Sequence, residues 1–144
     1  MDKLKKISNT ADWAMKQTDE IVREIGMIYD LKGGGHIDTT SSSASYARPI
    51  CRDICDRMHS LLRTIMNLGM MSINYGPFLR AMDAYNAAEH FLNDELLCDT
   101  GLFVGRITSS RLEKIYDEAN KIFRNIRTCI NDMVDDAKEE LEDE

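Results

Sequence analysis

The sequence predicts an all-α fold, a single antiparallel four-helix bundle. Apolar residues recur at alternating steps of three and four in four segments, and breaks containing glycine separate these segments. Nothing beyond the short run Leu102–Val104 resembles a strand. The chain has 144 residues, the length of one domain, and 43% of them are hydrophobic. A packed core is therefore expected.

The first helix is predicted over about Ser8–Leu31, with Leu4 as an earlier alternative start. Glycines that follow Lys32 end it, because glycine accepts the left-handed conformation of a helix C-cap. Gly33–Ser45 is rich in glycine, serine and threonine and predicts a long mobile loop. The apolar seam of the first helix comprises Leu4, Ile7, Ala11, Ala14, Thr18, Ile21, Ile25 and Ile28.

The second helix is predicted over about Tyr46–Leu68, with Pro49 in its first turn and Gly69 as its stop. A connection over Met70–Gly76 leads to the third helix, Pro77–Leu97. The N-cap candidates of the second helix are Ser41, Ser42, Ser43 and Ser45. Its seam is Cys51, Ile54, Met58, Leu61, Ile65 and Leu68, and the third helix buries Phe78, Ala81, Met82, Tyr85, Ala88, Leu92 and Leu96.

The fourth helix opens with a predicted capping box formed by Ser110 and Glu113. Its core-forming part ends near Val134, so residues 1–134 form one bundle domain. Residues 135–144 hold seven acids and one lysine, and they predict an acidic extension that accounts for most of the net charge of −7. The seam of this helix is Leu112, Ile115, Ala119, Ile122, Ile126, Cys129 and Met133.

The sequence indicates a cytoplasmic protein with no membrane association. No stretch approaches the roughly 18 apolar residues that cross a bilayer, and the polar start of the chain has no apolar signal region behind it. The four cysteines lack the spacing of a disulfide framework, so thiols in a reducing compartment are expected. No motif indicates a cofactor or an enzyme.

Cys51, Cys55 and His59 stand at successive steps of four on the second helix and form the weakest of three functional hypotheses. They could offer two thiolates and an imidazole to a metal ion, with Cys98 and Cys129 as further ligands if the fold brings them close. A nucleophilic thiol is the enzymatic version of the same idea. Core packing of the two cysteines is the favoured interpretation, because they occupy seam and flank positions.

A small-ligand module is the second hypothesis. The glycine-rich loop could close over an anion or a nucleotide, since glycine exposes backbone amides and nearby hydroxyls and cations would assist. The loop lacks the order of a P-loop and follows a helix, so a flexible linker is favoured. The residues of this hypothetical site are Lys32, Gly33, Gly34, Gly35, His36 and Arg48.

Charged residues are predicted to be solvated. Glu20/Glu24, Arg52/Asp56 and Asp53/Arg57 are read as exposed pairs on helix faces. The basic residues of the fourth helix, Lys114, Lys121, Arg124 and Arg127, are interrupted by acids, which argues against nucleic-acid binding.

The leading hypothesis is a non-enzymatic interaction protein of inhibitor or adaptor type, which binds another protein and self-associates. Trp13 and Met27 fall outside the predicted seam of the first helix. The apolar tip between the third and fourth helices has no obvious place in the predicted core either; it consists of Leu102, Phe103 and Val104. Aromatic residues and methionine are enriched in interfaces, so these five residues form the predicted partner surface. The alternative is that Trp13 covers the bundle edge and the tip plugs one end.

Overall fold

A computed structural model describes residues 2–30, 36–37, 42–96 and 107–142 of the chain. Four helices pack together, which confirms the all-α prediction. In chain order the elements are α1 (Asp2–Asp30), β1 (His36–Ile37), α2 (Ser42–Met71), α3 (Tyr75–Glu95), β2 (Ile107–Thr108) and α4 (Ser109–Glu142). β1 and β2 pair antiparallel, with His36 opposite Thr108. Two residues are too few to show an alternating pattern, so the sequence does not predict this pairing.

The four helices enclose one core. α1 packs against α2 and α4, α3 packs against α4, and α2 and α3 contact each other less than these pairs do. The predicted seams of α1, α2 and α4 are buried, except that Leu4 and Ile122 are only partly so. The largest fully buried side chains are Tyr85, Phe123, Ile21, Ile25, Ile28, Ile54, Leu61, Ile65, Leu68, Leu92 and Leu96.

All four helices begin earlier than predicted: α3 begins at Tyr75 instead of Pro77 and α4 at Ser109 instead of Ser110, and the differences are larger for α1 and α2. α1 starts at Asp2, before Ser8 and Leu4, and the carboxylate in its first turn favours the helix dipole. α2 starts at Ser42, so Pro49 lies beyond the first turn and supplies no N–H to the helix. Of the predicted Gly33–Ser45 loop, the last four residues are therefore helical and two form β1, while the rest lies outside the described residues.

The prediction that Gly69 ends α2 is wrong, because the helix continues to Met71. A Cβ at Gly69 would lie 2.5 Å from ring carbons of Phe78, so this glycine permits close packing of α3 on α2. The connection is thus only residues 72–74, and the Asn74 side chain caps α3 by accepting from the Gly76 N–H at 3.0 Å. α3 ends at Glu95, two residues before the predicted end.

Thr108, not Ser110, caps α4. The Thr108 Oγ1 accepts from the Arg111 N–H at 3.3 Å, which is the third amide of the helix. Ser110 lies inside the first turn, so the prediction of a capping box formed by Ser110 and Glu113 is wrong: the cap stands two residues earlier, and the residue three positions after it is Arg111. At the other end α4 continues to Glu142, and the core continues past Val134 because Ala137 is buried.

Within the described ranges, none of the helices is both long and apolar enough to cross a membrane.

Candidate functional site

Trp13 and Met27 are exposed on α1, at 50% and 40% of their surface. They do not form one patch, because fourteen residues of helix separate them by about 21 Å. Lys16 lies over the Trp13 ring with its Nζ 5.6 Å from the centroid, and Arg23 Nη1 lies 3.2 Å from the Met27 sulfur. Each apolar side chain therefore has a basic neighbour on its own helix. Leu102, Phe103 and Val104 lie outside the described residues.

The residues of the hypothetical ligand loop are described only in part. Lys32, Gly33, Gly34 and Gly35 lie outside the described residues, and His36 is described only as part of β1. The Arg48 side chain is partly buried on α2. The structure therefore provides no geometry for a phosphate cradle.

Cys51, Cys55 and His59 lie on successive turns of α2 but in different environments. Cys51 is fully buried in the core, Cys55 is partly buried and His59 is exposed. Across the part of the chain that the structure describes, no three His, Cys, Asp or Glu side chains are arranged to hold a metal ion. Burial and the nearby Asp132 carboxylate raise the pKa of the Cys129 thiol, which is the ordinary behaviour of a core cysteine.

A groove runs between α2 and α3, which contact each other less than the other neighbouring helices do. Its cavity of about 250 Å³ is lined on the α3 side by Tyr85, Glu89 and Asn93. The Tyr85 hydroxyl donates to the Met58 carbonyl oxygen at 3.1 Å, and burial, followed by the Glu89 carboxylate, raises the pKa of Tyr85. This phenol is therefore a fixed donor that ties α3 to α2. The remaining lining residues are Cys55, Met58, His59 and Leu92.

The basic residues of α4 do not form a stripe. Arg127 pairs with Asp19 of α1 at 2.8 Å. Lys114 and Lys121 line a depression together with acidic side chains, namely Glu95, Asp117 and Glu118. Charges of both signs thus alternate along this surface, which weakens attraction for a phosphate backbone.

An exposed apolar surface lies where α2 turns into α3, and the sequence reasoning missed it. Five large side chains there are between 49% and 82% exposed. We name them the α2–α3 apolar face: Met66, Met70, Ile73, Tyr75 and Leu79. The sequence carried a signal for this surface. Met66 and Met70 stand four residues apart outside the seam of the second helix, and Ile73 and Tyr75 follow at the connection to the third helix.

A group of charged and polar residues joins α1 to α2. We name Gln17, Glu20, Glu24, Asp53 and Arg57 the Arg57 cluster. Arg57 Nε lies 2.6 Å from Glu24 Oε1 and 2.9 Å from Asp53 Oδ2, and Arg57 Nη1 donates to Gln17 Oε1 at 3.2 Å. Glu24 is 3% exposed. The prediction of solvated pairs is therefore wrong for Glu24, which lies beside the apolar seam.

Burial is the largest cause of the pKa shift of Glu24. It raises the pKa of Glu24 to about 7, and a hydrogen bond with Asp53 acts in the same direction. The pKa of Asp53 is lowered, first by that hydrogen bond and then by Arg57 against the cost of desolvation. As the pH rises, Asp53 therefore loses its proton before Glu24 does.

No protein-family model, curated protein or solved structure matches this chain.

Proposed function

We propose that this protein is a non-enzymatic interaction protein that forms a homodimer through the α2–α3 apolar face. The observation that carries the proposal is that five large apolar side chains are exposed on both sides of the connection between α2 and α3. Apolar patches of about 300–600 Å² are the largest that monomers usually expose, and they often mark interfaces. Burial of such a surface contributes about 25 cal/mol for each Å².

The arrangement of the helices supports this assignment of the face. We infer that neighbouring helices are antiparallel. Along α2 and α3, Met58 contacts Tyr85 while Gly69 approaches Phe78, so the contacts run in opposite chain directions. The contacts between α1 and α4 also run in opposite chain directions, because Asp19 contacts Arg127 and the later Tyr29 contacts the earlier Tyr116. The α2–α3 apolar face then lies at one end of the bundle, where a second molecule has access.

A second copy of this chain is the occupant that suits the charges beside the face. Arg63 is exposed one turn before Met66 on α2, and Asp83 is exposed one turn after Leu79 on α3. In a two-fold contact each surface meets itself, so a residue of either copy can face its complement on the other. Charges of opposite sign on the two helices are compatible with such pairing, whereas charges of one sign would repel.

Sedimentation equilibrium over a range of protein concentrations tests the proposal. The wild type is expected to dimerise, and Met70→Glu is expected to weaken dimerisation on the order of 100-fold or more, because a charge enters the interface from both copies. Trp13→Glu is the matched control, since it adds the same charge to an exposed apolar position on α1. It is expected to leave dimerisation unchanged.

Two outcomes contradict the proposal. One is a wild type that remains monomeric at the highest concentration measured. The other is dissociation by Trp13→Glu with no effect of Met70→Glu, which would assign the interface to α1. Thermal unfolding of each variant establishes that the helices are intact.

A further inference from the structure

A single N–H of Arg57 serves two carboxyl groups. Its Nε lies 2.6 Å from an oxygen of Glu24 on α1 and 2.9 Å from an oxygen of Asp53 on α2. Two acceptors that converge on one donor lie close to each other, and they repel when both are ionised. Glu24 is almost fully buried, so solvent screens this repulsion only weakly.

The cations nearest to Glu24 are also engaged by other carboxylates. On α1, Arg23 donates to Glu20 through Nε at 3.0 Å and Nη2 at 2.6 Å. On α2, Asp53 and Arg57 balance each other. Arg57 Nη2 also lies 4.0 Å from Glu20. Lys16 and Arg23 act on the Glu20 carboxylate. An ionised Glu24 would therefore be a buried charge that shares its one cation, Arg57, with Asp53.

α4 also packs against α1, but its charged groups serve another position. Arg127 Nη1 lies 2.8 Å from Asp19, and Arg124 and Arg127 line a depression with Thr18 and Val22. The charges that act on Glu24 are those of Asp53 and Arg57. α4 therefore does not supply the cation that an ionised Glu24 would require.

We propose that the contact of Glu24 with Asp53 and Arg57 is a proton-dependent clasp between α1 and α2. The clasp is complete when Glu24 is protonated and its O–H donates a hydrogen bond to the Asp53 carboxylate, while Arg57 neutralises the charge of Asp53. It weakens when Glu24 ionises. This proposal is independent of dimerisation, since none of these residues belongs to the α2–α3 apolar face.

The direction of the pH effect follows from proton linkage. Burial raises the pKa of Glu24 from 4.5 to about 7, so the folded protein holds a proton that the unfolded chain has released. The stabilisation is complete below about pH 4.5 and is lost as the pH rises through about 7. Asp53 has a lowered pKa, so its contribution is lost only in more acidic solution.

The first test is a ¹³C NMR titration of the side-chain carboxyls in the wild-type protein. Glu24 is expected to titrate with a midpoint near pH 7. Glu20, whose pKa is lowered mainly by its hydrogen bond from Arg23, is expected to titrate below pH 4.5. A Glu24 midpoint below pH 5 would overturn the proposal, and this measurement needs no variant.

The second test follows urea unfolding between about pH 5.5 and about pH 8.5. The midpoint of the wild type is expected to fall across this range. Glu24→Gln mimics the protonated acid, so it is expected to abolish most of that fall, whereas Glu20→Gln keeps it. Equal falls for the wild type and Glu24→Gln contradict the clasp.

Discussion

Replacement of Arg57 by methionine is expected to lower the free energy of unfolding by about 2 to 3 kcal/mol at neutral pH. The substitution keeps most of the apolar stem but removes the guanidinium that lies between Glu24 and Asp53. Losing one partner of a fully buried ion pair costs roughly 3 to 5 kcal/mol. A smaller loss than this is expected here, because the Arg57 side chain is 28% exposed and the Asp53 side chain, at 49% exposed, can regain water.

Urea denaturation of the variant and of a matched control measures this effect. Arg23→Met is the control, because Arg23 contacts Glu20 while its own side chain is 58% exposed. Exposed ion pairs contribute about 0 to 1 kcal/mol, so the control is expected to change stability by less than about 1 kcal/mol. Equal losses in the two variants would show that the Arg57 cluster stabilises the fold no more than a surface pair does.

Gly69→Ala is expected to destabilise the protein by up to about 2 kcal/mol. On helix propensity alone, alanine should stabilise an α-helix by roughly 1 kcal/mol relative to glycine. Packing opposes this gain, since the new Cβ would meet ring carbons of Phe78 at 2.5 Å and α3 would have to move away from α2. Overpacking of this kind costs roughly 1 to 3 kcal/mol.

Gly76→Ala is the control for Gly69→Ala. The nearest atom to a Cβ at Gly76 is the Asn74 side-chain oxygen at 3.3 Å, and this capping atom would have to give by only a few tenths of an ångström. The control is therefore expected to keep part of the helix-propensity gain, a stabilisation of about 0 to 1 kcal/mol measured by urea denaturation. Stabilisation by Gly69→Ala would contradict the tight contact between α2 and α3.

The helical seams could be predicted because the spacing of apolar residues records which face of a helix is buried. Ile54, Leu61 and Ile65 satisfy the pattern and are fully buried. Helix ends were harder to predict, because one residue type serves several purposes. The sequence predicts that Gly69 ends α2, yet this glycine lies inside the helix and permits close packing against the Phe78 ring, nine residues later in the chain.

The Arg57 cluster could not be predicted because it depends on the rotation of α1 against α2. The pair Asp53 and Arg57 is visible at a spacing of four residues. Glu24 joins it across 33 residues, and no local pattern encodes this contact. The sequence indicates these buried polar side chains only weakly. Gln17 and Glu24 stand one heptad apart and next to seam residues, so they lie on the same face of α1 at its border with the core.

The α2–α3 apolar face escaped prediction because its members come from two helices and the turn between them. Met66 and Leu79 are thirteen residues apart and are unremarkable singly. The short connection, with only residues 72–74 outside the helices, brings the end of α2 close to the start of α3. Trp13 and Met27 both lie outside the seam of α1, but their separation of about 21 Å along the helix excludes a continuous patch.

Methyl NMR of ¹³C-methionine-labelled protein, recorded from dilute to concentrated solution, tests directly whether the α2–α3 apolar face is the dimer interface. Met66 and Met70 belong to that face, and the exposed Met27 on α1 is an internal control. The Met66 and Met70 signals are expected to shift together as the concentration rises, while the Met27 signal stays constant. A shift of Met27 with constant Met66 and Met70 signals would contradict the proposed interface.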